Sequence, residues 1–291
     1  MNIWVAGARP RTLPAAVVPV AVGTACAVGE VPGGLIWWRA AAAMVVALAL
    51  QVATNYANDY SDGVRGTDAD DKRVGPVRLV GQGLASPSAV KGGVRRVRGG
   101  RAGGRGAGGG GGARAVRGGS GRHRRRLVLH RGPRPYGYAG LGEAFVFVFF
   151  GVVATAGSAY VQTGELSGLA LGASVPVGLL ATALLVVNNL RDIPGDTEVG
   201  KRTLAVRLGD RRTRFLYTAL LVLPFVCVPL VAGIGERPAA ALALGAVLSV
   251  ASPWSTSSPA HAAGADPRAR CHRRVQLAFG ALFALGLALS A

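Results

Sequence analysis

Seven runs of this chain are apolar over close to the length a bilayer helix needs: Leu13–Val28, Leu35–Thr54, Leu141–Val161, Leu166–Val187, Phe215–Ala232, Ala239–Ser252 and Val275–Ala291. A membrane-crossing helix takes roughly 17–25 mainly apolar residues. Only 16% of the chain is charged, where soluble domains carry about 25%, so polar residues are too few to cover a soluble globule. The expected fold is all-α, a multi-span transmembrane helix bundle. Pro176 and Pro224 fall inside two of the runs. Bilayer helices tolerate such kinks because neighbouring groups re-satisfy the freed backbone.

The loops between these runs alternate in charge. Arg9 and Arg11 precede the first run, and Arg65, Lys72, Arg73 and Arg78 follow the second. The loop after the fourth carries Arg191, Lys201, Arg202, Arg207, Arg211, Arg212 and Arg214. The intervening loops, Gly29–Gly34 and Gln162–Glu165, have no Lys or Arg, and Gly233–Pro238 has only Arg237. Basic loops face the cytoplasm. The expected location is therefore the cytoplasmic membrane, multi-pass, with the basic loops inside.

The net charge of +19 concentrates in one place. Residues 91–131 hold 13 Lys and Arg, 15 Gly and no acid. Both flanks of this segment lie on the basic side, so it crosses the membrane an even number of times. As written it has no apolar run and crosses zero times. One reading is a disordered cationic linker that binds RNA or anionic lipid. Single-stranded nucleic-acid binders interleave aromatic residues for stacking, and none occurs here, so no nucleic-acid partner is expected. The favoured reading is an out-of-frame stretch of a GC-rich gene replacing two spans, with 253–274 a second such stretch. The domain organisation is then one membrane domain over 1–291, with 91–131 and 253–274 anomalous.

Acids collect at two places on the basic side. The first is Asn55-Tyr56-Ala57-Asn58-Asp59-Tyr60-Ser61-Asp62, continuing to Asp68; the second is Asn188-Asn189-Leu190-Arg191-Asp192-Ile193-Pro194-Gly195-Asp196. On a helix, Asn55, Asp59 and Asp62 share one face, as do Asn188, Asp192 and Asp196. Carboxylates at the end of an apolar helix are costly unless cations neutralise them. Hard oxygen donors suit Mg²⁺, which binds a few carboxylates together with substrate phosphate oxygens. Arg65, Lys72, Arg78, Arg191, Lys201 and Arg202 are placed to take the remaining phosphate charge. The competing reading is a set of solvated loop acids, which suits Asp68, Asp70 and Asp71 better than the two helix-end faces.

These two segments resemble the paired signatures of UbiA-type membrane prenyltransferases. The second continues through Gly200-Lys201-Arg202-Thr203-Leu204-Ala205-Val206-Arg207-Leu208-Gly209. Gly75-Pro76-Val77-Arg78 and Gly132-Pro133-Arg134-Pro135-Tyr136-Gly137-Tyr138…Gly140-Leu141-Gly142-Glu143 are similar to the branch that makes demethylmenaquinone from 1,4-dihydroxy-2-naphthoate. The resemblance covers roughly residues 1–90, 132–250 and 275–291. It implies nine helices around a cavity, of which about seven are recognisable here. It departs from the family pattern at Gly66 and Gly200, where an acid often stands, and Asp68 is a candidate replacement for the first.

The resemblance implies prenyl transfer with loss of CO₂. Asp59, Asp62, Asp192 and Asp196 would hold Mg²⁺ and act as the catalytic set. Asn55, Asn58, Arg65, Asp68, Lys72, Arg78, Tyr136, Tyr138, Asn188, Arg191, Lys201 and Arg202 would bind substrate. The implied partners are a polyprenyl diphosphate, 1,4-dihydroxy-2-naphthoate and the lipid bilayer. Tyr136 and Tyr138 either stabilise a cation with their ring faces or anchor at the interface. Glu143 is either an acceptor-side group or a helix N-terminal acid. Three alternatives stay open: a UbiA-type enzyme with another aromatic acceptor, a secondary transporter, and an inactive frame-damaged copy. Transporter acids should lie near the midplane, whereas these lie at helix ends.

Overall fold

A computed structural model describes residues 2–64, 78–98, 140–249 and 267–291, apart from the side chains of 94–98 and 267. Among the described residues the fold is entirely helical, as the apolar runs require. A short α1 (Ile3–Ala8) and one 3₁₀ turn (Pro10–Thr12) lead into α2 (Pro14–Cys26). Then come α3 (Trp37–Val64), α4 (Pro87–Arg98), α5 (Gly142–Thr163), α6 (Gly168–Glu198), α7 (Leu204–Ile234), the 3₁₀ helix α8 (Pro238–Ser249) and α9 (Pro267–Leu289). Four of these, α3, α5, α6 and α7, are long and apolar enough to cross a bilayer. The sixth apolar run is 3₁₀ rather than α-helical. At about 2.0 Å rise per residue, its 12 residues reach roughly 24 Å, further than an α-helix of that length.

Local chemistry sets several boundaries. The Asn2 side chain caps α1 by accepting from Trp4 N–H, Ser167 caps α6 by accepting from Ala170 N–H, and Thr203 caps α7 by accepting from Val206 N–H. These oxygens satisfy donors that a helix start leaves without partners. Gly209, at φ 75° and ψ 172°, breaks α7 into a short basic-side segment and the span proper.

The bundle is organised around α6. Two thirds of its apolar window is buried (67%), against 28%, 28% and 22% for α3, α5 and α7. It packs on α2, α5, α7 and α9, and Val177 and Leu180 join Val22, Phe279, Phe283 and Leu287 in the main core. The outer faces keep large apolar groups exposed, including Val45, Val46, Phe215, Val226, Leu230 and Leu248, which suits a lipid surround. Close helix approach depends on Gly23: a Cβ there would lie 2.1 Å from the Thr155 carbonyl oxygen. Backbone cannot yield as a side chain tip can, so Gly23→Val should separate α2 from α5. The expected result is a large loss of folded protein in detergent, read by size-exclusion chromatography.

The ends of the bundle differ. At the end away from the acidic motifs, Gln162 exchanges two hydrogen bonds with the backbone of Ile36. Buried Arg237 donates there to Val28 O, Leu287 O and Glu30 Oε1. Both acidic motifs lie at the other end, where α3 and α6 finish.

Helices reach into both anomalous segments. α4 runs through Arg98, into the first eight residues of 91–131. Val90 is buried with Leu79 and Tyr56, and the Lys91 ammonium lies over the Tyr60 ring at 5.8 Å. The apolar face of this turn drives it onto α3 despite the basic sequence. Likewise 253–274 overlaps α9, which starts at Pro267. His272 is fully buried there, with Nε2 3.0 Å from Leu180 O. The remainder of both segments lies outside the described residues.

Candidate active site

α3 continues unbroken through Asn55–Asp62 to Val64, and α6 through Asn188–Asp196 to Glu198. The motifs are therefore helix faces. Both faces line one cavity of about 250 Å³, together with the start of α5 and the turn before α2. From α3 come Gln51, Thr54, Asn55, Asn58 and Asp62; from α6 come Ala181, Leu184, Leu185, Asn188, Asn189, Arg191 and Asp192. Arg9, Thr12, Ala15, Arg78, Gly142, Glu143, Phe145, Val146, Phe150, Lys201 and Thr203 complete the wall among the described residues.

The electrostatics of the cavity come from pairs. Asp62, buried, lies 3.5 Å from both Arg78 and Lys201. The Lys201 ammonium is also 3.4 Å from Asp196, so one cation bridges the acids of the two motifs. Arg191 grips Asp192 with two hydrogen bonds of 2.8 and 3.1 Å. Asn55 donates to Ala8 O and Thr12 Oγ1, tying the N-terminal turn to α3. Among the described residues the lining carries four cations, Arg9, Arg78, Arg191 and Lys201, against three carboxylates, Asp62, Asp192 and Glu143. An excess of positive charge in a partly apolar pocket favours a polyanion with an apolar body.

Nine of the sixteen residues expected at the site line this cavity or pair with a residue that does: Asn55, Asn58, Asp62, Arg78, Asn188, Arg191, Asp192 and Lys201 line it, and Asp196 pairs with Lys201; Asp59 instead holds the backbone that follows Arg78. Asp59 is fully buried and accepts from Leu79 N–H at 2.8 Å and Val80 N–H at 3.3 Å. It points away from the cavity, because on a 3.6-residue helix it falls past the edge of the Asn55–Asn58–Asp62 face. Among the described residues no group of three or more His, Cys, Asp or Glu is arranged to hold a metal, so the four aspartates are not gathered into one ligand set. Arg202 is exposed and outside the lining. Arg65, Asp68, Lys72, Tyr136 and Tyr138 lie outside the described residues.

Sequence reasoning missed Arg9, Thr12, Gln51 and Asn189 as site residues. The Arg9-Pro10-Arg11-Thr12 run before the first span was the available signal. Arg9 sits in the left-handed region, φ 52°, where it ends α1, and that turn folds the segment back over α3. Glu143, left open between two roles, lines the cavity and accepts a 3.0 Å hydrogen bond from Asn189 Nδ2.

A model of the UbiA prenyltransferase family matches residues 133–270. The chain is 46% identical over 252 residues to the 1,4-dihydroxy-2-naphthoate octaprenyltransferase of Mycobacterium tuberculosis, covering 86% of this chain and 79% of the relative. It is 46% identical over 220 residues to the protein of the same name from Mycobacterium leprae, covering 75% and 74%. The Escherichia coli protein of that name is 36% identical over 257 residues, covering 78% and 75%.

Proposed function

Because the chain belongs to the UbiA prenyltransferase family, we propose that it moves a polyprenyl group from its diphosphate onto 1,4-dihydroxy-2-naphthoate, with loss of CO₂, to give demethylmenaquinone. The observation that carries this reading is the meeting of Asp62 and Asp192, one from each motif, in a single cavity with four cations. Its apolar wall, Val146, Phe150, Leu184 and Leu185, suits a ring and a prenyl chain. The relatives' shared name supports the acceptor.

Mg²⁺ fits the residues present. Asp196 Oδ2 is buried and accepts no hydrogen bond, and the Lys201 ammonium already occupies a cation position between Asp62 and Asp196. Mg²⁺ takes one or two carboxylates together with phosphate oxygens, so pairs drawn from Asp62, Asp192 and Asp196, helped by Asn58 and Asn188, would hold the ion. When bound, it neutralises charge developing on the leaving diphosphate. Arg9, Arg78, Arg191 and Lys201 orient the diphosphate oxygens, and the apolar wall keeps water from the allylic cation. Incubating the purified chain with polyprenyl diphosphate and dihydroxynaphthoate, and detecting the prenylated product by mass spectrometry, tests the reading. Product from 4-hydroxybenzoate alone would overturn the acceptor.

The protein is a multi-pass membrane protein, and in this proposal the cavity opens to the cytoplasm. Gly195 is exposed with open space around it, and Glu165 is exposed at the other end. Gly195→Cys should react only with thiol reagents that reach the cytoplasm, and Glu165→Cys only with those outside. The reverse pattern overturns the orientation. In the same proposal residues 1–291 are one domain, with the stretches within 91–131 and 253–274 out of frame. Resequencing the coding region tests this, and an intact frame through both overturns it.

A further inference from the structure

Among the described residues, Asp62 and Asp192 each face a cation, but the third carboxylate of the cavity does not. Glu143 is only 9% exposed. Among the described residues its side-chain partner is the neutral amide of Asn189, at 3.0 Å. It stands in the first turn of α5, on the face that carries Val146 and Phe150 at i+3 and i+7 into the same cavity. That face, with Leu184 and Leu185 of α6 opposite, is the apolar part of the pocket. Arg78 and Lys201 sit beside Asp62, and Arg191 beside Asp192.

An ionised carboxylate accepts hydrogen bonds and donates none. Within the cavity, the ligand group that satisfies Glu143 must therefore be a proton donor. A diphosphate and a substrate carboxylate have no such proton to offer, but a ring hydroxyl does. Resting on the function proposed above, we infer that Glu143 is a catalytic residue that takes the proton of the acceptor's ring hydroxyl and later returns it.

The step balances as follows. The allylic C–O bond breaks and its electron pair leaves on the diphosphate. The ring carbon bearing the carboxylate forms the new C–C bond to the prenyl group, while the adjacent hydroxyl gives its proton to Glu143 and becomes a ketone. The bond to the carboxylate then breaks and CO₂ leaves. Its electron pair restores the aromatic ring and an oxyanion, which recovers the proton from Glu143. Acceptor and prenyl diphosphate yield prenylated diol, CO₂ and diphosphate, with no net proton change on the protein. Asn189 holds Oε1, leaving Oε2 for the exchange.

Purified full-length protein with the variants Glu143→Gln and Glu143→Asp tests this. Gln keeps an oxygen for Asn189, so its thermal unfolding midpoint should match the parent. Its kcat should fall at least about 10²-fold, the usual range for a lost acid–base group, with KM for both substrates within about threefold. Asp, shorter but ionisable, should retain about a tenth of the parental kcat, and it decides the matter if the Gln variant unfolds. A Gln variant with kcat within about threefold of the parent, or one whose loss lies wholly in KM, overturns the inference. A parent that transfers nothing to dihydroxynaphthoate overturns the function on which the inference rests, and the inference with it.

Discussion

Asp62→Asn and Asp192→Asn should each lower prenyl transfer by at least about 10²-fold, equivalent to about 2.7 kcal/mol of transition-state stabilisation. These are the motif carboxylates that line the cavity. Each holds cations in place: Asp62 lies between Arg78 and Lys201, and Asp192 holds Arg191. An amide preserves size but lacks the charge that fixes those groups and supplies a hard ligand to Mg²⁺. Removing one partner of a buried pair also leaves the other charge uncompensated, so rates must be compared on protein shown to be folded by thermal unfolding. A folded Asp62→Asn/Asp192→Asn double variant with near-normal turnover would remove the metal–diphosphate reading.

Asp59→Ala should behave differently, and its largest effect is on stability. Asp59 accepts from two backbone N–H groups at Leu79 and Val80, and both it and Leu79 are fully buried. Alanine strands one buried donor, at Leu79, and one half-buried donor, at Val80. The buried one alone costs about 1–3 kcal/mol, read as a lower midpoint in thermal unfolding in detergent. The turn it holds also delivers Arg78 to Asp62, so activity falls with the fold. Any protein that stays folded should keep the parental Mg²⁺ concentration dependence. A variant of unchanged stability whose Mg²⁺ requirement rises sharply would return Asp59 to the metal set.

The contrast between Asp59 and Asp62 marks how far a sequence reads. Helical spacing puts Asn55, Asp59 and Asp62 together, because residues four and seven apart share a face, and of these Asn55 and Asp62 line the cavity. It cannot say where that face ends, and Asp59 falls on its edge. What decided its role was the backbone of Leu79 and Val80, twenty residues on. No local pattern encodes that contact. Arg202 and Lys201 make the same point at the other motif. Neighbours in sequence, they point apart once the chain turns into α7, and Lys201 alone reaches the two acids.

Apolar run length and loop charge by themselves determined that this chain is a helical bundle with both acidic motifs at one end, because the bilayer admits few other solutions for such runs. The paired motifs also determined the family. Only the tertiary structure decided that α6 is the buried centre, that Asp59 anchors a turn, and that Glu143 enters the cavity beside Asn189. The reason is physical. Hydrophobicity and helical period are local properties of a chain, whereas a side chain's partner is set by which helix packs against it, and that depends on the fit of every helix at once.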